Sequence, residues 1–250
     1  MTKLYANISV EHENDMSVIQ RRVIAAAQCN ADAVVITKTT PALVIPEEKK
    51  YVAIDSKWGN ISYIDYARKC ELTVDGCEEI SNLCEKIGIP IIWCVTDNIS
   101  AEFVKEHTDC QTLKIHSSAI DIAALSKWSS DNFSHVIFPH SQESFILQKY
   151  KSKKEKARYS IYYSHSDQQI VTENLKLSQL DVLVSKHETV GYESRTNTIF
   201  PCIATAYKNI SYIEKYLGED NNTNSCLLSP QVMYDFFKNL EVLEIANGQE

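Results

Sequence analysis

Strand-like and helix-like segments alternate eight times along this 250-residue chain. No other feature constrains its fold as much. Leu4–Val10, Ala33–Lys38, Ile89–Val95, Thr112–His116, His135–Pro139, Ser160–Tyr163, Glu188–Tyr192 and Ile210–Ile213 read as strands. Several, such as Ala33–Lys38, are continuous apolar runs of the kind a buried parallel sheet requires. Helical patterns fall between them: Asp15 to Asn30, Thr73 to Gly88, Asp97 to His107, Ser118 to Trp128, Ser141 to Tyr150, Glu173 to Leu180 and Ile199 to Lys208. Ser229–Leu243 closes the series, with Val232, Phe236, Phe237, Leu240 and Leu243 on one face. Thr39 to Leu72 is a long polar stretch with no assigned element.

Eight strand–helix units are what closes an α/β barrel, and such barrels run to about 250 residues. A doubly wound open sheet is the rival, but no glycine-rich strand-to-helix turn supports a dinucleotide site there. There is no internal repeat and no linker, so residues 1–250 read as one (β/α)8 TIM-barrel domain.

Charge and cysteine usage narrow the function. Lys and Arg number 25 against 33 Asp and Glu, a net charge of −8. That disfavours nucleic acid and anionic membrane surfaces, which need a basic face. No run of about 18 apolar residues is present to span a bilayer. The opening Met1–Tyr5 runs into the polar Glu11–Asp15 and lacks a signal-peptide core. The eight cysteines contain no CxxC pair and read as buried thiols of a cytoplasmic protein. Cys77 and Cys84, seven apart, are expected on one buried helix face.

Active sites of such barrels lie at the carboxyl ends of the strands. The segments there are Tyr5-Ala6-Asn7-Ile8-Ser9-Val10-Glu11-His12, Ala31-Asp32-Ala33-Val34, Leu113-Lys114-Ile115-His116-Ser117, Gly191-Tyr192-Glu193-Ser194-Arg195-Thr196 and Ile213-Glu214-Lys215-Tyr216. Taken in order, they resemble the sialic acid synthase family (N-acetylneuraminate, legionaminate and pseudaminate synthases). The first resembles the family's AEIGxNH segment, and the second its ADAVKFQ strand. The third is similar to FKIAS, the fourth to GYSDHT and the fifth to IEKH. Arg195 and Tyr216 stand 21 residues apart, the interval between the family's two histidine metal ligands.

The resemblance implies a barrel that condenses phosphoenolpyruvate with an N-acetylated amino sugar on Mn2+ or Mg2+, under a C-terminal antifreeze-like domain. This chain is expected to lack that domain. At the positions carrying the family's chemistry the residues differ. The metal ligands are Arg195 and Tyr216, the first-strand glutamate is Asn7, and the carboxylate after the FKIAS serine is Ala119. The phosphoenolpyruvate lysine is Val35, the threonine after strand three is Val95, and the GYSDH aspartate is Ser194. Arginine is permanently protonated and cannot replace histidine on a cation. The expectation is therefore no metal and no ordinary synthase chemistry, with Lys114, Ser117 and His12 retained.

Four histidines fall at or after strand ends: His12, His116, His140 and His165. Lys114 and His116, two apart on one strand, point to the same side, inward at the mouth. The catalytic candidates are Lys114 and His116. Ser117, His12, Arg195, His165 and His140 are the substrate-binding candidates. The histidines read either as a repurposed site or as hydrogen-bonded rim residues. Lys114 reads as a Schiff-base amine or as a lysine paired with a carboxylate. Arg195 reads as a fork for a carboxylate or as a structural cation in the vacated metal position. Lys38 reads as a partial replacement for the lysine lost at Val35 or, the preferred expectation, as a solvated lysine, and Tyr162-Tyr163 is expected to pack.

Three functions follow. The first is a noncatalytic or regulatory relative, connected with nonulosonate or surface-glycan biosynthesis and paired with an active synthase or a glycan-assembly enzyme. The second is an enzyme of altered chemistry, using Lys114 and the rim histidines on a small acidic or sugar-like substrate. The third is a working phosphoenolpyruvate-dependent nonulosonate synthase.

Overall fold

The computed structural model describes residues 1–8, 12–150, 153–156, 158–164, 175–196, 198–219, 226–246 and 248. The expected run of strand one to Val10, the helix start at Glu173 and His165 lie outside them.

Eight parallel strands close into a barrel: β1 (Lys3–Asn7), β2 (Ala33–Lys38), β5 (Ile91–Val95), β6 (Thr112–Ile115), β7 (His135–Pro139), β8 (Tyr159–Ser164), β9 (Val190–Ser194) and β10 (Tyr212–Tyr216). Each pairs with its neighbours in sequence order around the ring. β1 closes it against β10, with Lys3 opposite Tyr212 and Asn7 opposite Tyr216. The expected (β/α)8 fold is present. Several of its helices start where short polar side chains cap them. Asp15 accepts from Ser17 and Val18 amides to begin Met16–Gln28, and Thr73 accepts from Gly76 to begin Val74–Ile87. Gly88, at φ +82°, ends the latter in the left-handed conformation that favours glycine. Cys77 and Cys84 are both buried on that helix, as expected. Cys29, Cys77, Cys84, Cys94, Cys110 and Cys202 are buried free thiols, Cys70 is a half-buried one, and Cys226 is half-buried.

Strand alternation separates two cores. Outward residues such as Ile36, Trp93, Leu113, Phe138, Ile161 and Ile213 pack under the helices. Inward residues Ala33, Val35, Ile92, Cys94, Ile137, Tyr162 and Tyr212 fill the barrel, with Tyr5 against them. Tyr5 and Tyr212 stack at 4.7 Å between ring centroids. Gly191 makes room for this stack, because a Cβ there would sit 2.0 Å from the Tyr212 ring.

Three expectations are corrected. The last two strands run further than expected, to Ser194 and Tyr216, rather than ending at Tyr192 and Ile213. β6 stops at Ile115, although the His116 amide continues the ladder to Val95 O at 2.9 Å. The polar 39–72 stretch is structured. It holds an antiparallel hairpin, β3 (Ala53–Ser56) and β4 (Gly59–Ser62), and the helix Tyr63–Cys70.

Candidate functional site

Above the tyrosine stack the barrel interior turns ionic. Lys114, 1% exposed, places Nζ 2.8 Å from Glu193 Oε2 and 2.7 Å from each Glu214 oxygen. Asn7 Nδ2 donates to Glu214 Oε1 at 2.8 Å, and the Lys114 ammonium lies 4.5 Å from the Tyr162 ring centre. Removing each ion from water costs several kcal/mol, so these charges persist only because they neutralise one another. Burial disfavours the Lys114 ammonium, but Glu193 and Glu214 outweigh it and hold its pKa well above the ordinary value. Burial likewise pushes Glu193 up, and Lys114 and Arg195 overcome it, holding the carboxyl well below the usual range. In Glu214 burial prevails over Lys114, and the charge of Glu193 adds to it, so its pKa is raised. A Schiff-base lysine must shed its proton to attack; this one is locked as an ammonium.

Arg195 and Tyr216 extend the cluster to the mouth. Arg195 Nε and the Tyr216 hydroxyl both donate to Glu193 Oε1, each at 2.7 Å. Arg195 Nη2 donates to His116 Nε2 at 2.8 Å, and His116 Nδ1 lies 2.7 Å from Ser118 Oγ. Guanidinium has donors only, so Nε2 must accept. Ser118 holds the other nitrogen, Nδ1, between its hydroxyl and its amide, which lies 3.2 Å away. Burial pushes His116 down to about 4; Glu193 opposes this, while Arg195 and Lys114 reinforce it. Burial raises the Tyr216 pKa and Glu193 raises it further, so the phenol stays neutral.

The other candidates are dispersed. Ser117 is half-buried next to His116. His12 is buried in a separate cavity beneath the 39–72 segment, with Nδ1 accepting from the Asn14 amide at 3.0 Å. His140 is exposed, its ring 4.9 Å from that of Tyr163. Lys38 is not solvated as expected: it is 3% exposed, paired with Glu71 and set 4.5 Å from the Phe103 ring centre. Tyr162 and Tyr163 are buried, as packing residues should be.

The residues present do not fit the divalent metal that the resemblance implies. Arg195 brings a positive charge and no lone pair, and Tyr216 spends its proton on Glu193. The Glu193 oxygens are taken by Lys114, Arg195 and Tyr216. Among the described residues no three His, Cys, Asp or Glu side chains group to hold a metal ion.

Glu193 and Glu214 are the site residues that sequence reasoning missed. A usable signal was present: Glu193 stands two residues before Arg195, and Glu214 two before Tyr216, so each pair shares an inward face.

Comparison with known proteins agrees with this architecture. A sialic acid synthetase from Leptospira borgpetersenii serovar Hardjo-bovis, solved with citrate, superposes with a TM-score of 0.83 at 18% identity, over 99% of this chain and 85% of that one. A putative spore coat polysaccharide biosynthesis protein E from Chromobacterium violaceum gives 0.80 at 13% identity, over 98% and 76%. A spore coat polysaccharide biosynthesis protein from Bacillus subtilis gives 0.74 at 19%, over 99% and 70%. No curated protein matches the sequence significantly. The NeuB family profile matches residues 22–250, nearly the whole barrel, and the chain therefore belongs to the NeuB family.

Proposed function

We propose that this barrel is a noncatalytic, regulatory member of its family, acting in the cytoplasm in nonulosonate or other surface-glycan biosynthesis beside an active synthase or glycan-assembly enzyme. One observation carries the reading: Arg195 and Tyr216, which the resemblance aligns with the family's two metal ligands, converge as a cation and a neutral phenol on Glu193 Oε1. Activation of a sugar aldehyde by a metal needs lone-pair ligands, which these side chains do not supply. The pathway assignment draws on family membership and on structural neighbours named for sialic acid and spore-coat polysaccharide synthesis. The free thiols fit a reducing compartment.

The altered-chemistry reading needs at least two rim histidines near Lys114. Among the described residues His116 alone reaches its network, through Arg195 and Glu193.

The test is phosphate release from phosphoenolpyruvate with N-acetylmannosamine and Mn2+, by this protein alone and mixed with an active synthase. The expected result is no release by the protein alone and a changed rate for the synthase. Protein-dependent release without the synthase overturns the proposal.

A further inference from the structure

The 39–72 segment is built as a unit of its own on the carboxyl end of β2. Its helix Tyr63–Cys70 packs on the hairpin of β3 and β4 and on the short helices Pro41–Val44 and Glu47–Lys50. Ile45 and Ile64 are buried within it, and neither joins the two cores of the barrel. Toward the barrel its packing is incomplete. A cavity of about 180 Å3 lies between the two, lined by His12 and Thr37 from the barrel and by Ile45, Tyr66, Cys70 and Leu72 from the segment. Well-packed interiors have few voids larger than a water molecule, so dispersion contributes little across this gap.

Polar contacts fasten the segment at two separate places. At its root Lys38 pairs with Glu71, so the chain enters and leaves side by side. There Thr40 donates to Asp97 from its amide at 3.0 Å and from its hydroxyl at 2.9 Å, and Asp97 caps the helix Asn98–His107. Away from these chain ends, Glu13 in the loop after β1 holds the segment. The Tyr66 hydroxyl donates to Glu13 Oε1 at 2.9 Å. Lys57, in the hairpin turn, sits 3.4 Å from Oε2 and donates to the Glu13 carbonyl at 3.2 Å. Glu13 and Asn14, at φ +49° and +55°, both hold the left-handed conformation that favours glycine, so the loop bearing this contact is bent at a conformational cost.

We infer that residues 39–72 form a hinged lid over the β1–β2 side of the barrel mouth, turning on the paired root at Lys38 and Glu71 and latched shut by Glu13. The root keeps both chain ends in place while the latch lets go. Closing covers Thr37 and His12, and opening exposes them. The latch is made of partly exposed polar groups, whose hold is small beside that of a packed apolar face. The lid does not depend on whether the barrel is catalytic.

Two cysteines report its motion. Cys70 lines the cavity on the lid side, and Cys77, fully buried on Val74–Ile87, reports wider unfolding. The full chain is alkylated with N-ethylmaleimide, and each cysteine peptide is followed by mass spectrometry. Glu13→Ala should speed Cys70 at least about tenfold and leave Cys77 unchanged. Tyr66→Phe, which keeps the ring and removes the donor, should give several-fold of the same effect even if Glu13→Ala does not fold. Spin labels coupled through unnatural amino acids at Asn60 and Glu102, both exposed, measure the swing directly. Glu13→Ala should add a longer Asn60–Glu102 distance, while the distance between labels at Asn60 and Glu48 within the lid stays the same. An unchanged Cys70 rate in the folded variants overturns the inference. So does equal acceleration of Cys70 and Cys77, or an Asn60–Glu102 distance that does not change.

Discussion

Arg195 donates from Nη2 to Nε2 of His116 across 2.8 Å, joining the ends of two strands that stand 79 residues apart in the chain. A side chain that can only donate requires a lone pair at Nε2, which is incompatible with the doubly protonated ring and so favours the neutral imidazole. His12, buried elsewhere, is held neutral as well.

Stability should therefore fall as pH drops. Both histidines are pushed down to about 4 in the folded chain from an ordinary value near 6.5. Protonation then favours the unfolded chain. Their contribution is complete above about pH 6.5 and is lost between about 6.5 and 4. At pH 5 the buried His12 alone should cost about 2 kcal/mol, seen as a lower urea midpoint than at pH 7. Equal midpoints, or a His116 ring titrating near 6.5 by NMR, would contradict the structure.

Lys114 is the charge on which the interior depends. Lys114→Met leaves Glu193 and Glu214 buried without their shared cation, and should cost on the order of 3–5 kcal/mol in urea unfolding. The triple variant Lys114→Met, Glu193→Gln, Glu214→Gln should recover part of that loss, because no buried charge is then stranded among the three positions. A loss below about 1 kcal/mol in the single variant, the range of exposed pairs, would show that the cluster is hydrated.

Gly191 is constrained by its neighbour rather than by its backbone. Gly191→Ala drives a methyl into the Tyr212 ring and should cost about 3 kcal/mol, or roughly 6–12 °C in Tm. Adding Tyr212→Leu should restore part of it. A Tm unchanged by Gly191→Ala would mean that the ring moves freely.

Changing Arg195 and Tyr216 together to histidine would put two imidazoles beside Glu193, three donors where there is now one. Mn2+ binding, followed by electron paramagnetic resonance, should be at least about tenfold tighter in the double variant than in the native chain. Equal affinity would show that these two side chains are not what excludes the ion.

The barrel was legible because apolar runs such as Ala33–Lys38 and His135–Pro139 sit on a periodic background. The ion cluster was hidden for the same reason. Glu193 and Glu214 interrupt the apolar pattern inside β9 and β10, so the pattern alone ends each strand just before its glutamate. Nothing local indicates that either glutamate will meet Lys114. The hairpin of β3 and β4 was lost in a polar stretch because its strands are half-buried or exposed and carry little hydrophobic contrast. The Arg195–Tyr216 interval pointed to a shared location, but their common partner appears only when strands close in space.

Lys114 precedes its two carboxylate partners by 79 and 100 residues. During synthesis it leaves the ribosome long before either glutamate exists. A nascent half-barrel would hold a lone ammonium that must stay hydrated, so its interior cannot dry until the closing strands arrive. The final quarter of the chain acts as the stopper of the vessel, and truncation before β9 should leave an open, water-filled and protease-sensitive intermediate.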